Sequence, residues 1–282
     1  MNHLILGSSG QIGCYLVDFL KRNNEEIQTF DIISTPEEDL RKIQNENLIN
    51  KIKNTDFVHF LAFDVGGSKY LNKYQHTKQF LDNNVMLMKN TFEALEFYKK
   101  PFIFSSSQMS NMNYSSYGVL KRLGEFYTKS LDGLIVKYWN VYGVETDETK
   151  AHVITDFIKK AMTTKHIEMM TDGEEERQFL YAEDCCRCNK ILADNYDALD
   201  KTKEYHLTSF EWSKIIDIAE IISKEFGGVR ISKGQIKDPV QNNKRNEPDP
   251  FIKRYWQPEV KLKEGIQKII KRMREINNEN SK

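Results

Sequence analysis

Residues 3–13 read HLILGSSGQIG, an apolar run that breaks into a loop with a glycine at every third position. Apolar residues recur at helical spacing over 11–23, so the sequence predicts a strand, a glycine turn and a helix in direct succession. Glycine permits a tight turn and lets backbone N–H groups approach a pyrophosphate at the helix N-terminus. Taken alone, the loop also fits an ordinary tight strand-to-helix connection.

An acidic residue further along favours the nucleotide interpretation. The loop reads G-x-x-G-x-x-G at Gly7, Gly10 and Gly13, and Asp31 ends the second predicted strand 24 residues after Gly7. That separation is close to the ~20 residues at which an acid accepts both ribose hydroxyls of an adenosine. Because a carboxylate there repels the extra phosphate of NADP, the sequence predicts NAD as the cofactor.

Strands and helices alternate along the first half of the chain. The predicted strands are 3–6, 25–32, 56–63, 101–107 and 134–142, and the predicted helices are 11–23, 36–53, 76–99 and 115–130. This alternation predicts an α/β fold, a Rossmann-type doubly wound parallel sheet with both faces covered.

The rhythm changes after residue 145. Helices are predicted at 151–164, 183–195, 211–226 and 261–277, with strands at 166–170 and 179–184 around a loop at 171–178. The length suits one domain with a smaller lobe. We expect a dinucleotide-binding domain over 1–145, joined by about 183–205, and a smaller α/β carboxy-terminal substrate lobe over most of 146–282.

Composition argues against several partners. Lysine plus arginine and aspartate plus glutamate both number 41, so no net charge attracts nucleic acid or an anionic membrane. No apolar stretch reaches the ~18–20 residues that span a bilayer, and no secretory signal is visible, so a cytoplasmic protein is expected. Zinc would need a second ligand cluster, so we expect no metal site and buried free thiols at Cys14, Cys185, Cys186 and Cys188.

The segment YGVLK places Tyr117 and Lys121 four residues apart, so both project from one face of a helix. A phenol with its ordinary pKa of ~10 is a poor base, but a neighbouring ammonium lowers that pKa by favouring the phenolate. The strand FIFSSS ends at Ser107, and the carboxyl end of a parallel strand faces the ligand crevice. Although such a tyrosine and lysine are common by chance, this context predicts Ser107, Tyr117 and Lys121 as catalytic residues.

On these motifs the sequence resembles the extended short-chain dehydrogenases, specifically the NAD-dependent nucleotide-sugar epimerase and dehydratase family. GSSGQIG is similar to the family's cofactor loop, DFVHFLAF to its adenine-side strand, and NVYG to a segment beside the nicotinamide. The resemblance implies that Tyr117 is the base, that Lys121 binds nicotinamide ribose and that Ser107 holds the substrate oxygen. The implied cofactor contacts are Gly7, Ser9, Gly10, Gln11, Ile12, Asp31, Leu61, Ala62, Tyr117 and Lys121.

The same resemblance implies a substrate site. The loop DVGGSKY, 64–70, is similar to a glycine pair in members that handle GDP-linked sugars, which favours a GDP-sugar. Arg177 matches an arginine that grips the diphosphate with its planar fork of donors, and a surface salt bridge is its other interpretation. The implied substrate contacts are Gly67, Ser68, Ser107, Gln108, Asn140, His152 and Arg177.

The residues after Ser107 narrow the reaction. Dehydratases of this pattern carry an acidic pair there, but this chain has Gln108 and Met109, which do no acid/base chemistry. GDP-sugar epimerase-reductases use a cysteine near the serine and a histidine in a segment like HVIT. This chain keeps only the histidine, His152, as an acid/base group or a substrate contact.

The expected function is therefore that of an NAD-dependent nucleotide-sugar oxidoreductase acting at C4, as a 4-dehydrogenase or a C4 epimerase. Its substrate would be a GDP-linked hexose or heptose, and its pathway the biosynthesis of surface-polysaccharide sugars. A nucleotide 4-keto-sugar reductase, a 3,5-epimerase and a non-catalytic NAD-binding sensor are the alternatives. The intact serine, tyrosine and lysine argue against the sensor.

The helices 76–99 and 115–130 occupy the places where relatives pair into a four-helix bundle. Their apolar side chains outnumber those that one sheet face needs, so a homodimer is expected, although the same residues could only cover the sheet. The residues in question are Phe80, Leu81, Met86, Leu87, Phe92 and Leu95.

Overall fold

The computed structural model describes residues 1–145, 147, 149–236 and 246–280, with side chains as far as residue 278. The strands are β1 (Asn2–Leu6), β2 (Glu26–Phe30), β3 (Phe57–Phe60), β4 (Phe102–Ser107), β5 (Leu134–Tyr138), β6 (Asn140–Tyr142), β7 (His166–Glu168), β8 (Glu176–Tyr181), β9 (Glu204–Leu207), β10 (Trp212–Lys214) and β11 (Arg230–Ser232). Six of them form one parallel sheet in the order β2-β1-β3-β4-β5-β9.

The strand order creates a crevice at the carboxyl ends of β1 and β3. From β1 the chain passes to β2 on one side and then to β3 on the other, so the winding direction reverses between them. Open α/β sheets bind ligands at such a switch point. The predicted Rossmann-type doubly wound sheet is confirmed.

Helices cover both faces of this sheet. The helices of the described residues are α1 (Gln11–Arg22), α2 (Glu46–Lys53), α3 (Ser68–Tyr74), α4 (Lys78–Tyr98), α5 (Ser116–Ser130), α6 (Val153–Thr163), α7 (Ala182–Asp194), α8 (Ile215–Glu225) and α9 (Leu262–Asn280), and α6, α8 and α9 pack around the second sheet instead. Helices α1 and α7 pack together on one face, and α2, α4 and α5 cover the other. The apolar stripes of these helices therefore bury the two faces of a sheet whose strands are apolar on both sides.

Most of the apolar α4 residues considered for a dimer contact cover the sheet instead. The core of this chain contains Phe80, Leu87, Phe92 and Leu95, with Leu81 packed against it. Met86 is 42% exposed. For the buried members the second alternative, that they cover the sheet, therefore holds; helical spacing alone does not distinguish a stripe that faces the sheet from one that faces a second protein chain.

Side-chain caps decide where several helices begin. The sequence predicts a helix over 36–53, but α2 starts at Glu46 because the Asn45 side chain accepts the N–H groups of Asn47 and Leu48. In the same way the Thr77 hydroxyl accepts a hydrogen bond at the start of α4.

The predicted strand 134–142 divides at Trp139. Its first part, β5, belongs to the central sheet, and its second part, β6, joins a sheet of order β10-β8-β6. The Trp139 backbone N–H donates to the Leu207 carbonyl at 3.2 Å, which ends the central pairing there. Because both parts are buried, the apolar pattern continues across the division.

The carboxy-terminal part builds its own core from α6, α8 and α9 around the second sheet. Strand β8 begins at Glu176, inside the predicted loop 171–178, and the predicted helix 211–226 begins only at Ile215 because Trp212–Lys214 pair with β8. Strand β9 pairs with β5, and α7 packs on α1, so both belong to the first lobe's sheet and its cover. Within the described residues, no helix is long and apolar enough to cross a membrane.

Candidate active site

The glycine loop packs closely against its surroundings. Gly7 has φ +87°, and its N–H donates to the Phe30 carbonyl at 2.9 Å. A β-carbon on Gly7 would lie 2.7 Å from the Ala62 backbone, and one on Gly13 would lie 2.1 Å from the Gly7 carbonyl oxygen. Gly10 immediately precedes α1. Only glycine fits the contacts of Gly7 and Gly13, so the loop packs tightly against the N-terminus of α1, a position at which backbone N–H groups can bind a phosphate.

Asp31 lies against this loop. Its carboxylate is 8% exposed and accepts the Ser9 N–H at 2.8 Å and the Ile33 N–H at 2.9 Å. A second carboxylate is close, because the Asp31 N–H donates to Glu38 at 2.9 Å. The Asp31 carboxylate suits ribose hydroxyls and opposes an additional phosphate, whereas Glu38 is already paired with Lys51.

The remaining predicted cofactor residues border the same crevice. Gln11 is the first residue of α1, and its buried Nε2 atom has no hydrogen-bond partner among the described residues. Leu61 continues β3 through a 3.0 Å hydrogen bond from its N–H to the Leu6 carbonyl, and Ile12 and Leu61 pack on the core beside α7. The close-packed glycines, the unpartnered Gln11 amide and the Asp31 carboxylate therefore fit a bound dinucleotide.

Ser107, Tyr117 and Lys121 come together at the carboxyl end of β4. All three are buried, with Ser107 7%, Tyr117 9% and Lys121 3% exposed. A β-carbon on Gly118 would lie 2.2 Å from the Met109 carbonyl oxygen, so α5 approaches the turn after Ser107 very closely. This approach places Tyr117 beside Ser107, whose hydroxyl accepts the Met109 N–H at 3.1 Å.

The protonation of this group differs from the expected one. Burial raises the pKa of Tyr117 to about 12, opposed by the hydrogen bond with Ser107. Burial lowers the pKa of Lys121 to about 7, opposed by the charge of Glu125. The Lys121 Nζ atom donates to the Ser105 carbonyl at 2.5 Å and lies 3.7 Å from the centre of the Phe63 ring.

The expectation that Lys121 lowers the pKa of Tyr117 is therefore corrected. The ammonium is 5.8 Å from the centre of the Tyr117 ring and is bound to a backbone carbonyl instead. The loss of water around the phenol raises the pKa of Tyr117, and the positive charge of Lys121 does not offset this rise. The Tyr117 ring also contacts Phe63 edge to face, with ring centroids 5.7 Å apart, which adds to the exclusion of water.

The loop 64–70 contacts the segment before α6. The Gly67 N–H donates to the Lys150 carbonyl at 2.9 Å, and a β-carbon on Gly67 would lie 2.6 Å from the Ala151 carbonyl oxygen. Ser68, the first residue of α3, is exposed. The predicted glycine pair thus packs against the segment that leads into His152.

His152 has a partner that the sequence did not suggest. Its Nδ1 atom lies 2.6 Å from a carboxylate oxygen of Glu145, and its backbone N–H donates to the other oxygen at 2.8 Å. The Glu145 side chain is 8% exposed and that of His152 is 38% exposed. A carboxylate that grips both the ring and the backbone fixes the direction of the imidazole.

The other predicted substrate residues have distinct surroundings. The carbonyl and the side-chain oxygen of Gln108 accept hydrogen bonds from the Asn246 amide at 2.8 and 3.0 Å. Asn140 begins β6, and its buried Oδ1 atom has no hydrogen-bond partner in the part of the chain that is described. Arg177, on β8, is 7% exposed and donates to the Glu176 carbonyl at 2.8 Å, so it is not a surface side chain.

Sequence reasoning missed Glu145 because it belongs to none of the recognised motifs. It missed Asn246 because this residue lies 138 positions along the chain from Gln108. The four cysteines are free, and Cys185, Cys186 and Cys188 are buried as expected, whereas Cys14 is partly exposed. Among the described residues, no group of three or more histidines, cysteines or acids could hold a metal ion.

Known sequences resemble this chain along most of its length. The sequence model of the NAD dependent epimerase/dehydratase family matches residues 3–207. A protein of Methanocaldococcus jannaschii, provisionally assigned as a UDP-glucose 4-epimerase, is 26% identical over 312 residues, covering 97% of this chain and 99% of the relative. The GDP-mannose 3,5-epimerase of Arabidopsis thaliana is 26% identical over 256 residues, covering 78% of this chain and 66% of the relative.

Solved structures share the fold. An epimerase of Methanothermobacter thermautotrophicus superposes with a TM-score of 0.84 at 19% identity, covering 97% of this chain and 92% of that one. The Thermotoga maritima UDP-glucose 4-epimerase with UDP-glucose gives a TM-score of 0.80 at 19% identity, covering 98% and 99%. The Thermus thermophilus UDP-glucose 4-epimerase in complex with NAD gives 0.78 at 18% identity, covering 97% and 99%.

Proposed function

The chain belongs to the NAD-dependent epimerase/dehydratase family, and from that premise we propose that it oxidises a nucleotide-linked sugar at C4, as a 4-dehydrogenase or a C4 epimerase. Its cofactor is NAD. The observation that carries the proposal is the buried group of Ser107, Tyr117 and Lys121 at the end of β4. A protein that only senses the cofactor does not need the buried hydroxyls of Ser107 and Tyr117 with the amine of Lys121 beside them.

The residues divide the proton chemistry among them. When bound in its oxidised form, NAD would supply a hydride acceptor, the nicotinamide ring, which carries a positive charge. Ser107 holds the oxygen of the sugar hydroxyl, and Tyr117 exchanges the hydroxyl proton. With its pKa raised to about 12, Tyr117 is a neutral phenol at pH 7 and is ready to donate that proton to a 4-keto oxygen. The oxidising direction needs the phenolate, which positive charge favours.

The turn after Ser107 favours oxidation without elimination. Gln108 and Met109 stand where a dehydratase of this pattern needs acids, and neither exchanges protons. The Gln108 amide is in addition held by Asn246. Asp31 favours NAD over the NADPH that reductases often use, so a 4-keto-sugar reductase is the weaker alternative.

A second candidate reaction is 3,5-epimerisation of the 4-keto sugar. The pair of His152 and Glu145 supports it, because a histidine held by a buried carboxylate is suited to remove a proton beside a ketone. A two-base mechanism of the family's kind would use a cysteine near Ser107, and this sequence has Ser110 and Asn111 in its place. We therefore propose, as the first hypothesis, that His152 contacts the substrate in a reaction at C4.

We propose a GDP-linked hexose or heptose as the substrate, made for a surface polysaccharide. The glycine pair of the loop 64–70 supports GDP, as does the resemblance to a GDP-mannose 3,5-epimerase. In this proposal Gly67, Ser68, Gln108, Asn140, His152 and Arg177 contact the substrate. We propose that the reaction takes place in the cytoplasm, which is supported by the free cysteines, since cysteines there are ordinarily reduced.

We further propose a homodimer and two lobes. Helix α5 exposes Val119, Leu123 and Phe126, and α4 exposes Met86, so an apolar surface remains beside the residues that cover the sheet. The division at residue 145, with 183–205 in the first lobe, is supported by the pairing of β9 with β5. Light scattering at low micromolar concentration tests the dimer, and a monomer would contradict it.

The function is tested with a panel of GDP-, UDP- and dTDP-sugars incubated with the protein and NAD. We expect one sugar to yield either NADH with a 4-keto product or its C4 epimer, detected by absorbance and mass spectrometry. Mass spectrometry of molecules retained by the purified protein would name the nucleotide. If no sugar is altered and no cofactor is reduced, the proposal fails and a sensor remains.

A further inference from the structure

A buried cluster of charges lies directly beneath Ser107, Tyr117 and Lys121. Its centre is Glu125, which is 1% exposed and follows Lys121 by one turn of α5. Residues four apart on a helix share a face, so the carboxylate and the Lys121 ammonium lie on the same side of α5. Removing a carboxylate from water is costly unless it is paired, so its partners indicate what this charge is for.

The partners of Glu125 tie α5 to the strand that carries Ser107. One carboxylate oxygen accepts the Ser106 hydroxyl at 2.5 Å, and Ser106 is the neighbour of Ser107. The other accepts the Arg122 guanidinium at 2.7 Å. Lys137 of β5, which is fully buried, lies 3.4 Å from Glu125. Glu125 therefore connects α5 with both β4 and β5.

The charges that face this cluster come from three elements. Helix α5 contributes Arg122 and Lys129 besides Lys121, and β5 contributes Lys137. Strand β9 contributes Glu204, 2.6 Å from Lys137, and His206, whose pKa burial lowers to about 4 so that it is neutral at pH 7. Positive groups outnumber negative ones, so a buried lysine here has few anions to keep it charged.

We propose that Glu125 is a positioning residue of the reaction site, which fixes the Ser106–Ser107 end of β4 against α5 and supplies negative charge that favours the ammonium form of Lys121. This inference rests on the proposed roles of Tyr117 and Lys121. Burial opposes the charge of Lys121, and Glu125 is the group that opposes burial. Without it, a lysine bound to the Ser105 carbonyl would lose its proton more easily.

The test compares Glu125→Gln with Glu204→Gln. Both remove one carboxylate near Lys137, but only Glu125 acts on Lys121. The proteins are labelled with [ε-13C]lysine, the Lys121 signal is assigned by its loss in Lys121→Arg, and its titration is followed by NMR without substrate. We expect Glu125→Gln to lower the Lys121 midpoint by about one pH unit, and Glu204→Gln to leave it in place.

The second measurement is the pH dependence of kcat with the active nucleotide sugar. In Glu125→Gln the fall of kcat at high pH should move to lower pH by the same amount as the NMR midpoint. The same Lys121 midpoint in Glu125→Gln as in the wild-type protein would overturn the inference. Equal shifts of that midpoint in Glu125→Gln and Glu204→Gln would overturn it as well. If Glu125→Gln does not fold, Glu125→Asp replaces it, with a smaller lowering of the midpoint expected.

Failure of the proposed function is distinguishable from failure of this inference. If no nucleotide sugar reduces NAD in the wild-type protein, the proposed reaction is wrong, whatever Glu125 does. The titration of Lys121 needs no substrate, so it still decides whether Glu125 holds that charge.

Discussion

Gly7 and Ala62 approach so closely that a β-carbon on Gly7 would lie 2.7 Å from the Ala62 backbone. This contact brings the glycine loop onto the end of β3 and thereby shapes the crevice between β1 and β3. Gly7 also has φ +87°, a backbone conformation that favours glycine. Two independent requirements therefore act on one residue.

Gly7→Ala should destabilise the fold by about 1–3 kcal/mol and greatly weaken NAD binding. The matched control is Gly227→Ala, because Gly227 has φ +79° but nothing within 4 Å of an added β-carbon. The control should lose only the part due to φ and should bind NAD normally. Thermal unfolding and titration of NAD measure both effects. Equal losses in the two variants would contradict the role assigned to the Ala62 contact.

Tyr117→Phe should lower kcat by about 10²–10⁴-fold while NAD binding persists. The reason is that the phenol exchanges the proton of the sugar hydroxyl, whereas its ring only packs against Phe63. Tyr127→Phe is the control, since Tyr127 lies on the same helix and is 40% exposed. Steady-state rates with the active sugar compare the two. A variant at residue 117 with wild-type kcat would remove Tyr117 from the mechanism.

Asp31→Asn should raise the affinity for NADP relative to NAD by roughly tenfold. The carboxylate next to Ser9 opposes the additional phosphate of NADP, and the amide does not carry that charge. Titrations of both dinucleotides give the ratio. Glu93→Gln, on the exposed side of α4, should leave the ratio unchanged. No change in Asp31→Asn would mean that another group selects the cofactor.

His152→Gln separates the two candidate reactions. If the enzyme acts only at C4, the variant should transfer hydride with a higher KM and a kcat within a few-fold of wild type. If 3,5-epimerisation occurs, the variant should lose solvent deuterium incorporation at C3 or C5, and so should Glu145→Gln, which releases the ring. NMR of the product formed in deuterium oxide measures the incorporation at C3 and C5, and steady-state rates give KM and kcat. Incorporation that survives in both variants would exclude the pair as the base.

The buried pair of His3 and His59 should make stability depend on pH. Their rings are fully buried and hydrogen-bonded at 3.0 Å, and burial lowers the pKa of both. Because the unfolded chain then binds more protons below pH 6.5, stability should fall as pH drops below that value. His59→Gln should flatten this dependence in thermal unfolding, whereas His76→Gln, at an exposed site, should not. Parallel curves for all three proteins would contradict the assignment.

Local patterns in the sequence were sufficient for the fold class, and they also supplied the candidate residues of the proposed reaction site. The glycine spacing before α1, the acid at residue 31 and the tyrosine and lysine of α5 each depend on neighbours within a few turns or one strand. Periodicity also located most helices and strands. The division of 134–142 at Trp139 was not predictable, because its two halves are equally buried and differ only in which strands they join.

The amino-acid sequence alone was thus enough to predict the dinucleotide-binding fold, the cofactor NAD and the candidate side chains of the proposed reaction site. The protonation of these side chains and the contacts that hold them in place depend on the folded chain. The pKa of Tyr117 depends on how much water the surrounding elements exclude. Glu125 of α5 contacts Ser106 and Lys137, which belong to two different strands. Likewise the contact between Glu145 and His152 exists only in the folded chain, where one carboxylate binds both the ring and the backbone N–H of the histidine. Burial and electrostatic contact depend on distances in space, which local sequence patterns do not contain.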